Sequence, residues 1–461
     1  MKTLLIRNAD VDGRILDIAI REGRIAEIGA NLRGEELVDA RGCAALPGLH
    51  DHHIHLLGSA ALLRSVQLDP CRDPDALART LRAADRMLGP GEWMRATGYH
   101  QQDGALLDRH ALDAILPARP LRVQHQTGGL WILNSAALER LGGEPWPEEV
   151  ERDREGRPTG RIFRGDTWLS ARIGRETPDL AALGQQIAAQ GITGLCDAGV
   201  TNDAASAAIL ADAVRMGALP GELMLMSGGP LAAPEDGAFA VGPVKILLDD
   251  HRLPTIDAVV EIIAHARSWN RRVAAHCVTA GELAVMLAAF EQAGAMPGDR
   301  IEHGSIIPAD ALSVIRDLRL TVVTQPGFLA TRGDRYRALV DAEEQADLYR
   351  CASLLQSGIP VAGSSDAPYG PVDPWQAIGA AVQRRTASGA SLNPAEAITA
   401  SRALNLFLSP LDEPGGPARA LKIGSPADIC LLNTSFAGWL ADLPAKPVAA
   451  TLSRGTLIHI E

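Results

Sequence analysis

Eight short apolar runs, each followed by a stretch that reads as helix, constrain this chain more than any other feature. They are AALPGLH, GITGLCDAG, ELMLMSGG, PVKILLD, RRVAAHC, DRIEHG, LTVVTQP and IPVAGSSD. The stretches between them, such as DAVVEIIAHARSW and AGELAVMLAAFEQAG, are rich in Ala and Leu and amphipathic. Continuous apolar strands alternating with such helices belong to a parallel sheet covered on its faces. Eight is the number that closes that sheet into a (β/α)8 barrel. The expected fold class is α/β, a (β/α)8 TIM barrel.

The two ends of the chain read differently. TLLIRNADVDG, ILDIAIREGRIAEIGA and EELVDARGCAALPG alternate apolar and polar residues between Gly and Asp turns, and so do IGSPADICLLN and PVAATLSRGTLIHIE. That is the pattern of short antiparallel strands. It predicts a small β-sandwich domain built from both termini, residues 1–46 and 419–461, around a barrel of residues 47–418. A large insertion of about residues 58–190 follows the first barrel strand, with further strand-like runs (EWMRATGY, LRVQHQT) and Trp93, Trp131 and Trp168. A length of 461 residues suits a large barrel plus a minor domain.

Charge narrows the class of partner. A net charge of −12 argues against nucleic acid or an anionic membrane surface and leaves a small molecule. The opening MKTLLIRNADVDG reaches charged and turn residues after a few apolar ones, so neither a signal peptide nor a transmembrane span is expected. Six cysteines, Cys43, Cys71, Cys196, Cys277, Cys351 and Cys430, are scattered without a CxxC pair. They read as reduced thiols of a cytoplasmic protein, neither a disulfide frame nor a thiolate zinc site. A homodimer is the default expectation for an enzyme of this size.

Chemistry in such a barrel sits where the strands run out at their C-terminal ends. Strand one ends in His53 and His55, strand four holds Lys245, strand five ends in His276, strand six in His303 and strand eight in Asp366. Lys245 to His276 is 31 residues and His276 to His303 is 27, each near one βαβ unit, and His303 to Asp366 at 63 is near two. The five strand ends would therefore meet at one mouth. Neutral imidazoles and a carboxylate converging on a point suit a divalent metal such as zinc. An apolar core is otherwise an expensive place for them. A single strand-end histidine is as readily a hydrogen-bonded core residue; a set of them at barrel-unit spacing is not. His53 and His55, two apart on extended chain, share one face with Asp51, whereas His50 and His52 share the other. Spacing alone leaves open which pair faces inward.

Lys245 is out of place in such a ring, because burial and nearby metal ions both disfavour an ammonium. Two accounts are open. It could pair with Asp249 or Asp250, or its neutral amine could take up carbon dioxide to give a carbamate, an anion able to bridge two metals.

Together these motifs resemble the amidohydrolase superfamily, in the branch that includes N-substituted formamide deformylases. PGLHDHHIH resembles the PGxxDxHxH pattern, which assigns the ligands to His53 and His55. VKILLDD resembles the strand of the carboxylated lysine, AAHC the fifth-strand histidine, IEHGS the sixth, and GSSDAPYGPVDPW the aspartate signature. GSPADICLL resembles the return into the β-sandwich, and GEWMRATGYHQQ and LWILNSAAL extend the likeness into the insertion. One departure stands out: many branch members carry a histidine shortly before NSAAL, where this chain has Gly129, with His125 upstream.

The resemblance implies one metal held by His53, His55 and Asp366, a second by His276 and His303, and carboxylated Lys245 between. Two Zn2+ are expected, with Mn2+ or Fe2+ as alternatives. A hydroxide made reactive by the metals would attack the carbonyl of an N-acyl or N-formyl amine, and Asp366 would carry its proton to the leaving nitrogen. Asp51 is a candidate to orient a ligand. Tyr99, His100, Gln124, His125 and Trp131 are candidate pocket walls. The segment GFLATRGDRYR, with Phe328, Arg332 and Arg335, reads as a loop that either covers the mouth or, as an arginine-rich loop more often does, simply forms a solvated face. Cys277 has no base in view and reads as a small core residue. Two competitors are a mononuclear deaminase and a non-catalytic scaffold of the same fold. HCVTAGE lacks the deaminases' HxxE glutamate, with Glu282 lying too far along, and the complete ligand set speaks against a scaffold.

Overall fold

The computed structural model describes residues 3–69, 71, 73–100, 106–174 and 178–461, so Gln101 and Gln102, which close the GEWMRATGYHQQ motif, lie outside the described residues. The chain forms two compact units, Met1–Ser59 with Leu180–Glu461, and Ala60–Asp179.

All eight apolar runs contribute the strands of one sheet. They are β1 (Leu49–Ile54), β2 (Ile192–Asp197), β3 (Glu222–Ser227), β4 (Ala240–Ile246), β5 (Val273–Cys277), β6 (Arg300–His303), β7 (Thr321–Thr324) and β8 (Val361–Gly363). Their spatial order is their sequence order, and every ladder is parallel. Residues of β1, β2 and β6 to β8 are buried throughout, which is why these runs show no polar alternation. Helices between the strands complete a TIM barrel. The edge strands β1 and β8 share no ladder, but the chain just past β8 joins them: Asp366 N–H donates to His53 O at 2.9 Å and His55 N–H to Ala367 O at 2.8 Å.

Tight strand-to-helix turns fix where the strand ends point. After β5, Thr279 Oγ1 accepts from Glu282 N–H at 3.2 Å, and Glu282 Oε2 accepts from Thr279 N–H at 3.1 Å and Val278 N–H at 2.6 Å. This reciprocal capping box, with its N-cap three residues after His276, opens the helix Ala280–Ala293. Glu282 has a structural task here, consistent with its not standing where a deaminase glutamate would.

The same unit carries two four-stranded sheets. One has the order Arg24–Gly29, Arg14–Arg21, Leu4–Val11 and Glu36–Asp39; the other has Thr456–Ile460, Val448–Ser453, Ile429–Leu432 and Ala45–Pro47. Ala45–Pro47 pairs antiparallel with Ile429–Leu432, so N- and C-terminal chain share one ladder. Ile6, Ile18, Ile25, Ile429, Leu431 and Leu452 share one buried cluster. Each such side chain contributes roughly 1.5–3 kcal/mol of burial, which holds the two distant ends together.

The second unit contains a six-stranded sheet in the order Val150–Arg152, Pro158–Phe163, Leu130–Leu133, Leu121–His125, Met94–Tyr99 and Val66–Gln67. Among the described residues, no helix is long and apolar enough to cross a membrane. One expectation is corrected. The segment after β7 is a regular helix, Gly327–Leu339, and not a loop. Its Leu, Ala and Arg residues are good helix formers, and Phe328 and Leu329 bury one face in a cluster with Leu348, Tyr349, Ala380 and Leu392.

Candidate metal centre

Strand β1 turns His53 toward Asp366, with Asp51 on the same face. Both are buried. His52, on the opposite face, has Nε2 3.1 Å from Ser409 Oγ, and His50 has Nε2 3.3 Å from Glu222 Oε2. Gly194 leaves room for the His50 ring, which a side chain there would overlap. Asp51 holds backbone and no imidazole: its Oδ1 accepts from the N–H of His53 at 3.2 Å and of Ser365 at 3.0 Å. Burial pushes its carboxyl up to about 6. Asp51 thereby pins the loop carrying Asp366 onto the end of β1.

Three of the strand-end groups meet around Asp366. His55 Nε2 lies 3.3 Å and His53 Nε2 3.5 Å from Asp366 Oδ1, and His303 Nδ1 lies 3.7 Å from Asp366 Oδ2. The rings of His53 and His303 have centroids 4.8 Å apart, and those of His276 and His303 4.5 Å apart. Lys245 is 4% exposed, and its Nζ is 3.5 Å from His53 Nε2. All six residues named from the sequence thus converge on one place. Asp249 and Asp250, the alternative partners of Lys245, face elsewhere: Asp249 Oδ1 accepts from His251 N–H and Asp250 Oδ1 from Thr279 Oγ1. Burial lowers the lysine's pKa, favouring the neutral amine. Burial, reinforced by neighbouring Lys245 and His276 respectively, also holds His53 and His303 well below the ordinary imidazole value.

Backbone strain aims two of these side chains. His303 has φ +69° and Asp366 φ +50°, in the left-handed region that non-glycine residues rarely enter. At His303 the chain makes a three-residue turn, with Gly304 N–H donating to Glu302 O at 2.9 Å. Each such residue costs roughly 1–3 kcal/mol and persists only where its surroundings over-determine it.

Two residues with a place in the site were not singled out in the sequence. The Glu302 carboxylate lies against His53 Nδ1 through Oε2. Gln325 Oε1 lies 3.0 Å from His303 Nδ1, and its Nε2 donates to Ser364 Oγ at 2.9 Å. A pair of opposite charges in the short buried strand RIEH is the signal that could have pointed to Glu302; for Gln325 it is a polar residue closing an apolar run. Cys277 is buried, its thiol raised well above its ordinary value by desolvation, as an inert core residue requires.

The remaining candidates make the following contacts. Phe328 is 4% exposed and carries the Arg332 guanidinium 4.2 Å above its ring, while Arg332 also donates to Tyr369 O. Tyr99, His100, Gln124, His125 and Trp131 belong to the second unit. There Tyr99 is buried and its hydroxyl accepts from Leu107 N–H at 3.3 Å; His125 Nδ1 is 2.9 Å from Thr127 Oγ1. Gln124 accepts from Arg95 and donates to Gly128 O. His100 is half-buried just past the end of its strand. Trp131 is buried, donates from Nε1 to Asp166 Oδ1 at 2.8 Å, and has the Arg95 and Arg122 guanidiniums at 5.4 and 5.5 Å from its ring.

The donor set at the barrel mouth fits a divalent cation. Ligand atoms of His53, His55 and Asp366 all lie within 4.8 Å of one another. Asp366 Oδ1 is buried with no hydrogen-bond partner, although a carboxylate oxygen facing two imidazoles would find one if hydrogen bonding were its task. Comparison with known proteins agrees with the architecture. The sequence matches the amidohydrolase family over residues 36–459. The chain belongs to that family. As a member it is a hydrolase acting on carbon–nitrogen bonds. It is 26% identical to the N-substituted formamide deformylase of Arthrobacter pascens, with 94% of each chain covered. In fold it is similar to an uncharacterized metal-dependent hydrolase from Pyrococcus horikoshii OT3 (TM-score 0.72, 21% identity, 93% of this chain and 96% of that one). It is also similar to N-isopropylammelide isopropylaminohydrolase from Burkholderia multivorans (TM-score 0.54, 17% identity, 99% and 98%).

Proposed function

We propose that this amidohydrolase cleaves the C–N bond of an N-acyl or N-formyl amine with the help of two divalent metal ions, zinc first among them. The observation that carries the reading is the meeting of three imidazole nitrogens around the Asp366 carboxylate, at 3.3, 3.5 and 3.7 Å. His53, His55 and Asp366 Oδ1 would hold one ion, and His276 and His303 the other, with the Lys245 amine converted by carbon dioxide to a bridging carbamate. Metal bound there supplies a Lewis acid for the substrate carbonyl and an acidified water. The chain's own residues do the rest. Asp366 keeps Oδ2 on the side of His303, placed to receive a proton from the attacking water and return it to the leaving nitrogen. The turn at Gly304 and the bond from Asp366 N–H to His53 O keep these side chains from swinging away. Burial keeps His53 and His303 neutral, the form in which imidazole binds a cation.

The similarity to a deformylase supports an N-formyl amine as the first substrate to try. The test is a hydrolysis screen over N-formyl amines, N-acyl amines, lactams and carbamates, using zinc- and manganese-loaded protein, with metal counted by mass spectrometry. Two equivalents of metal, activity restored by bicarbonate after chelation, and turnover of an N-formyl or N-acyl amine are expected. A single tightly bound metal with deaminase activity would refute the two-metal proposal.

A further inference from the structure

Strand β6 starts with a costly pair. Arg300 is 1% exposed and Glu302 is fully buried. Two apart on the strand, both face the same way. Taking each charge out of water costs several kcal/mol, and a well-packed apolar pair in their place is often as stable or more so. Stability alone does not account for them; their contacts do. Glu302 divides its oxygens, Oε1 to Arg300 Nε and Oε2 to His53 Nδ1. Arg300 Nη2 donates to the carbonyl of His52 at 2.8 Å, on the same strand as His53. The pair therefore grips β1 twice, once by its backbone and once by the ring that follows.

We propose that Arg300 and Glu302 are positioning residues for His53, fixing its tautomer and ring orientation so that Nε2 carries the lone pair offered to a divalent cation. This rests on the metal-dependent reading above. With Nδ1–H donated to a carboxylate, Nε2 is left unprotonated, and it faces Asp366 Oδ1 and Lys245 Nζ, each at 3.5 Å. An ionised acceptor also makes the imidazole a more basic ligand. His303 is held differently, by the neutral amide of Gln325. The two positions in the mouth are thus braced by different chemistry, and removing the Glu302 charge acts on one of them.

The test measures cation affinity of the metal-stripped protein by competition with a chromophoric chelator, using Zn2+ and, for its visible spectrum, Co2+. Glu302→Gln is expected to weaken one equivalent by roughly 10- to 100-fold, leaving the other near its wild-type value. That variant strands the buried Arg300, so Arg300→Met/Glu302→Gln is measured beside it. The double variant should melt, without metal, close to the wild type while keeping the weakened affinity. Recovery of both stability and affinity in the double variant would make the pair a mere brace of the fold and overturn the proposal, as would unchanged affinity in Glu302→Gln. In wild-type protein labelled with 15N-histidine, His53 should be the Nδ1–H tautomer before metal is added; the Nε2–H tautomer also overturns it. A wild-type protein that binds no divalent cation overturns the metal-dependent reading itself, whereas tight wild-type binding with unaffected variants overturns only the role of the pair.

Discussion

Replacing Asp366 by Asn isolates the proton transfer from everything else the residue does. Asp366 sits at φ +50°, a conformation that Asn tolerates about as well as Asp, so the backbone that carries it should not move. Its anchors, Asp366 N–H to His53 O and Tyr369 N–H to Asp366 O, are main-chain bonds and survive the change. The amide keeps an oxygen able to face His53 and His55 but loses the ability to accept a proton. A positioned general base contributes about 10²- to 10⁴-fold, which at about 1.4 kcal/mol per decade is about 3–5 kcal/mol of transition-state stabilisation. The assay is kcat/KM on the best substrate from the hydrolysis screen, with metal content measured on the same preparation after loading. The expected outcome is near-normal metal content and a loss of two to four orders of magnitude. A variant with full metal and activity within tenfold of wild type would refute the assignment of the proton to Asp366.

Other perturbations test separate parts of the argument. His55→Asn should lose one equivalent of metal on mass-spectrometric counting, whereas His50→Asn, on the opposite face of β1 near Glu222, should retain the wild-type content. Gly184→Ala would drive a methyl group into the Ala218 carbonyl where the helix Leu180–Ala189 packs, and should cost about 1–3 kcal/mol, read as a lowered melting temperature. Glu396 accepts from Cys351 N–H at 2.8 Å, Ser353 N–H at 3.0 Å and Arg350 Nη1 at 2.9 Å. Glu396→Gln removes one carboxylate from a guanidinium that keeps Asp347 and the Ile307 carbonyl, and should cost about 1–3 kcal/mol. Although burial opposes its ionisation, bonds from Ser353 and Cys351 hold the folded Glu396 below its ordinary value of 4.5. The stability it adds is therefore complete above pH 4.5 and fades as pH falls through the lowered folded value. The gap in melting temperature between wild type and Glu396→Gln should narrow in acid; a gap that stays constant would refute this.

The barrel was legible because fully buried parallel strands leave an unmistakable trace, runs with no polar partner such as LTVVTQP and RRVAAHC, spaced by a helix's worth of residues. The strand-end groups were legible for the complementary reason, that a histidine or lysine ending such a run has to be explained. What stayed hidden depends on contacts between distant segments. The register of HDHHIH was undecidable because HxH occurs on both faces; Ser409 and Glu222, hundreds of residues away, receive one pair, and Asp366 the other. Alternation also misleads at His303, whose left-handed backbone breaks the period of two just where the side chain must turn. In sequence the helix Gly327–Leu339 looks like a loop because its arginines and two glycines mask the short apolar face at Phe328 and Leu329. Glu302 is the instructive omission. The reasoning that selected Lys245, a charge in a strand with no room for one, applies with equal force to RIEH, where opposite charges stand two apart. A buried ionic pair beside a suspected ligand has to bond something across the core, and the ring nitrogen turned away from Asp366 is the acceptor's natural partner.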